Sequence, residues 1–140
     1  MVRSIMAVVA VVAASGCGGG SPFDYVPASG RLTYEDGQPI PAAGIRLQFF
    51  VQDVAPVDGA HPKPAAAHLD AQGNFTCVTS YRYGDGLIPG RHKISIDYAA
   101  DATGKLLVPR EYAHAASTPL EVVIDGDSAA TLVLKTPRPR

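Results

Sequence analysis

Apolar and polar residues alternate most cleanly over Ile45-Arg46-Leu47-Gln48-Phe49-Phe50-Val51. Here Ile45, Leu47, Phe49 and Val51 share one face, and Arg46 and Gln48 take the other. A period of two marks a half-buried strand. The same pattern predicts strands over 92–98, 120–124 and 131–135, with shorter or less regular ones over 31–35, 66–69 and 74–80. Cys77 falls on the Phe75 face of its strand and reads as a buried apolar thiol. Asp125-Gly126-Asp127-Ser128 is a turn sequence, which predicts that the two strands flanking it form a hairpin. Seven short strands separated by turn residues, with no segment of helical period, predict an all-β, seven-stranded antiparallel sandwich.

The pattern changes at the front of the chain. One basic residue, Arg3, precedes an apolar run over 5–14, followed by Ser15-Gly16-Cys17-Gly18-Gly19-Gly20-Ser21. This is the layout of an export signal. The run is about half of the roughly 20 apolar residues a membrane-spanning helix needs, so it can start translocation but cannot anchor the product. Ala14-Ser15-Gly16 directly before Cys17 resembles the lipobox of bacterial lipoprotein precursors, with Ala14 where leucine is usual. The resemblance implies that residues 1–16 are a signal peptide and that Cys17 is acylated, palmitate being one such chain. Cys17 then becomes the first residue of the mature chain, and residues 17–28 form a flexible linker. Glycines suit such a leash, and several acyl chains together hold a protein firmly to a membrane. The expected location is the cell envelope, in the periplasm or on the outer surface. Two other readings of these residues stay open: cleavage after Ser15, which leaves Cys17 a free thiol, and a disulfide between Cys17 and Cys77.

Composition narrows the function classes. About 124 residues remain after the signal, enough for one domain with one core. Charge is sparse and nearly balanced, with 12 basic and 13 acidic residues. No basic stripe points to nucleic acid. The basic, proline-rich residues 136–140 read as a solvated tail. Fourteen glycines and twelve prolines, and no tryptophan, favour short strands with tight turns.

Four stretches then resemble one family. Gly30-Arg31-Leu32-Thr33-Tyr34-Glu35-Asp36-Gly37-Gln38-Pro39 is similar to the first strand and turn of carboxypeptidase regulatory-like domains, which are transthyretin-like (prealbumin-like) sandwiches common in small bacterial lipoproteins. The likeness continues at Asp70-Ala71-Gln72-Gly73-Asn74-Phe75 and at Leu87-Ile88-Pro89-Gly90-Arg91-His92-Lys93-Ile94. It ends with Pro109-Arg110-Glu111-Tyr112 and Thr118-Pro119-Leu120, so that it spans 29–135. It departs at His92, where such domains often carry tyrosine. The resemblance implies a noncatalytic module without a fixed ligand.

Candidate chemistry is thin. His61, His68, His92 and His114 are scattered, whereas a metal site needs several ligands to converge. Asp125, Asp127 and Ser128 could supply oxygen ligands to calcium, but a hairpin turn accounts for them equally well. Ser80, His92 and Asp97 are the residue types of a hydrolase triad, yet no Gly-x-Ser-x-Gly elbow frames the serine. No cofactor, metal or catalytic residue is therefore expected. Exposed tyrosine and arginine are favoured contact residues, which singles out Tyr81, Arg82 and Tyr83 together with Arg110, Glu111 and Tyr112. Alternating strand directions put the loop 81–89 at the tethered end and the loop 99–119 at the far end, so Arg110, Glu111 and Tyr112 are the preferred partner-facing patch. The sequence thus reads as a noncatalytic lipid-anchored envelope protein that acts as an interaction or structural module, its partners being the membrane and an envelope protein or glycan. The alternative is a carbohydrate-binding or transport-accessory protein that uses its tyrosine-rich loops.

Overall fold

The computed structural model describes residues 20–140 and is all-β. Cys17 and the expected signal peptide lie outside the described residues. In chain order the strands are β1 (Ala28–Tyr34), β2 (Arg46–Val51), β3 (Ala65–His68), β4 (Asn74–Phe75), β5 (Gly90–Asp97), β6 (Glu121–Ile124) and β7 (Ala130–Thr136). A single 3-10 turn, Arg110–Ala113, interrupts the long connection between β5 and β6. Two sheets result, one with strand order β4-β1-β7 and one with order β3-β2-β5-β6.

The alternation read from the sequence sets which side chains go inward. Ile45, Leu47 and Phe49 are buried, as are His92, Ile94 and Ile96 from β5 and Leu132 and Leu134 from β7. Residues of both sheets join one apolar cluster, in which Leu32, Phe75, Val78, Leu87 and Val108 also take part. Phe49 sits at its centre with its ring edge-on to Phe75 and His92, at centroid distances of 6.3 and 6.2 Å. Polar residues on the opposite face pair with each other: Arg46 on β2 meets Asp97 on β5 at 2.9 Å.

Three expectations are corrected. β6 and β7 do not form a hairpin: β6 pairs with β5, and β7 pairs with β1 in the other sheet. Residues 125–129 instead connect the two sheets, running from β6 in one to β7 in the other. Gly126 does not take the positive φ that a tight primed turn asks of its residues. The ladder is not wholly antiparallel, because β1 and β7 run parallel over seven paired positions. The expected strand over 74–80 ends at Phe75, and only the isolated Ala66–Thr79 bridge continues the pairing. With the strand broken there, Cys77 is half-buried rather than fully enclosed, and it forms no disulfide among the described residues.

Both ends of the described chain make contacts with the body. Val26 is buried and exchanges two backbone hydrogen bonds with Leu87, at 2.8 and 2.9 Å. At the other end β7 runs to Thr136, and Arg138 folds back to pair with Asp36, just beyond β1.

Candidate functional site

The residues singled out as contact candidates divide between two ends of the body. Tyr81 lies beside residues 20–23, where the described chain begins, because the loop that carries it is bridged to Val26 through Leu87. Arg110 lies at the other end of β1, where the Tyr34 hydroxyl donates to the Leu107 carbonyl at 2.6 Å. A seven-residue strand spans about 20 Å, so the two sets are separate surfaces.

At the first end, one carboxylate shapes the tyrosine loop. Asp85 accepts from the backbone N–H groups of Ser80, Tyr81 and Arg82 at 2.8, 3.0 and 2.7 Å. The Ser80 hydroxyl donates to the Gly86 carbonyl, and the Gly84 N–H to the Thr79 hydroxyl. Gly86 has φ +104°, and a Cβ there would lie 1.9 Å from the Val26 carbonyl oxygen. Only glycine lets the loop close against the entering chain. On this frame Tyr83 is 89% exposed. Its neighbour Cys77 raises the phenol above its ordinary pKa, chiefly through a side-chain hydrogen bond. The Arg82 guanidinium lies 6.0 Å from the centre of the Tyr81 ring. Tyr81 also helps line a pocket of about 210 Å³ with Phe23, Tyr25, His61, Lys63 and Ser80.

At the other end, Arg110 and Glu111 are exposed on the 3-10 turn, but Tyr112 packs against the apolar cluster. Burial, followed by the charges of Glu111 and Glu35, raises the Tyr112 phenol above its ordinary pKa. Tyr112 is thus half-buried, with part of its side chain packed on the cluster and part left at the surface. Thr118, itself buried, pins the returning loop by donating to the Ile94 carbonyl at 2.7 Å. The Asp101 carboxylate holds the neighbouring turn, accepting from Thr103 and from the Lys105 N–H.

Sequence reasoning missed the other wall of this surface. Arg110 and Glu111 share a groove of about 650 Å³ with Lys105 and with residues 137–140. The chain end is fixed there by Arg138, which meets Asp36 at 2.8 Å and lies 4.2 Å from the centre of the Tyr34 ring. Arg138 holds the Asp36 carboxyl below its ordinary pKa, mainly by hydrogen bonding. The two residues are 102 positions apart, so no local pattern could have joined them.

The residues weighed for catalysis or metal binding do not converge on one place. Ser80 serves its own loop, Asp97 pairs with Arg46, and His92 Nε2 donates to the Ile88 carbonyl at 2.7 Å. His92 and Asp97 are five residues apart on one strand, which puts them on opposite faces about 16 Å apart. His68 and His114 are exposed at separate positions. The Asp125 carboxylate accepts from the Asp127 N–H at 3.0 Å, as the residue closing a local turn does. Among the described residues, no group of three or more His, Cys, Asp or Glu side chains is placed to hold a metal ion, and no helix is long and apolar enough to cross a membrane.

Comparison with protein-family models, with curated proteins and with solved structures found no match to this chain.

Proposed function

We propose that this chain is a noncatalytic, lipid-anchored envelope protein whose body is a transthyretin-like sandwich of the carboxypeptidase regulatory-like kind. It acts as an interaction module, with Arg110 and Glu111 facing a partner. The anchor rests on the export-signal layout and on Cys17 in its glycine-rich setting. The sandwich reading is supported by two sheets of three and four strands that share one apolar cluster.

The observation that carries the interaction reading is the placement of the groove. It lies at the opposite end of β1 from residue 20, so a tether at the front of the chain leaves it facing away from the membrane. Reversing the charges of Arg110 and Glu111 together should abolish capture of an envelope partner from solubilised membranes, with melting unchanged. Undiminished capture by the double variant would count against the assignment.

The pocket beside Tyr81 favours a second reading, in which the protein binds a carbohydrate. Aromatic rings at Phe23, Tyr25 and Tyr81, with polar groups on His61, Lys63 and Ser80, suit a sugar's apolar face and its hydroxyls. On a glycan array this reading expects repeatable binding that Tyr81→Ala removes.

A further inference from the structure

We infer that the groove lined by Arg110 binds an acidic peptide segment in extended conformation, which gives a chemical class to the partner and rests on the interaction reading above. The first ground is charge. The whole chain carries a formal charge of −1, yet Lys105, Arg110 and Arg140 line this one groove. Among the described residues, none of the three makes an ion pair, whereas Arg138 is already paired with Asp36. Within the lining only the Glu111 carboxylate side chain opposes them.

The second ground is the apolar part of the same surface. Leu106 and Pro109 from the β5–β6 connection, and Pro137 and Pro139 from the chain end, line it, with the fully buried Val108 beneath. A bare polyphosphate would use only the cationic rim. An extended peptide turns successive side chains to opposite sides, so one that alternates carboxylates with apolar residues meets both parts. The third ground is that the molecule already makes such a contact with itself. The Arg138 guanidinium meets the Asp36 carboxylate through one nitrogen at 2.8 Å and lies 4.2 Å from the centre of the Tyr34 ring, a combination of ion pair and ring contact that suits arginine better than lysine. A volume of about 650 Å³ gives room for a short segment.

The test measures fluorescence anisotropy of the full chain in detergent, with a labelled peptide of alternating aspartate and leucine. The same peptide with asparagine for aspartate, and inorganic polyphosphate, serve as comparison probes. Binding of the acidic peptide should weaken with salt and fall about tenfold or more when Arg110 and Arg140 are both changed to glutamate. It should strengthen in Glu111→Gln. Circular dichroism and melting check the fold, and if the double reversal melts early, Arg110→Gln and Lys105→Gln replace it. Equal binding of the asparagine peptide, indifference to the arginine changes, or binding of polyphosphate alone would each overturn the inference. Partner capture that still depends on Arg110 and Glu111, without acidic-peptide binding, would sink the peptide class and spare the interaction reading. Loss of both would sink the two together.

Discussion

His92 is a histidine placed where its charged form is unwelcome. It is 2% exposed, its Nε2 is committed to Ile88, and its Nδ1 has no hydrogen-bond partner. Burial holds its pKa below the ordinary value, with the Ile88 bond acting in the opposite direction. The unfolded chain takes up the proton near the ordinary value of about 6.5 while the folded chain resists it. The stability this histidine contributes is therefore full above that pH and is lost as pH falls towards the folded value. Melting temperature should drop on acidification from neutral, and the drop should be shallower in His92→Gln; equal slopes would remove His92 as the cause. Gly30 tests the opposite kind of constraint, steric rather than electrical. A Cβ there would lie 2.3 Å from the Leu132 carbonyl oxygen and 2.8 Å from the Phe75 ring. Gly30→Ala should cost about 1–3 kcal/mol, as overpacking usually does, measured by denaturant unfolding.

Among the elements, those with regular alternation were legible and those defined by long-range pairing were not. β2, β5 and β7 could be read because Leu47, Phe49, Ile94, Ile96, Leu132 and Leu134 recur at a spacing of two and all turn inward. The destination of β7 could not be read, because a local turn sequence before it says nothing of a parallel partner about a hundred residues earlier. The contact patch was half legible for the same reason: Arg110 and Glu111 stand out in sequence, but the wall formed by residues 137–140 depends on Arg138 finding Asp36. The tyrosine loop is a case in which one residue governs an element. Three backbone N–H groups converge on Asp85, and bonds to a charged group are worth about 1.5–3 kcal/mol apiece at most. Asp85→Ala should lower stability by about 1–3 kcal/mol and speed amide exchange over 80–82. Unchanged exchange there would mean that the loop is held by Gly86 and Thr79 instead.

At the scale of the molecule, the two ends of β1 have different neighbours and, in the function proposed above, different duties. One end receives the entering chain through the Val26–Leu87 bridge, and the other carries a cationic groove bordered by residues 137–140. This polarity has consequences only if the chain is held by its front. The most direct test is the intact mass of the native protein extracted from membranes, with sequencing of its N-terminal peptide. A chain tethered in this way begins at Cys17 and carries a diacylglycerol thioether and an N-acyl group. A freely soluble protein with an unmodified thiol at position 17 would contradict the tether, and with it the division of duties between the two ends.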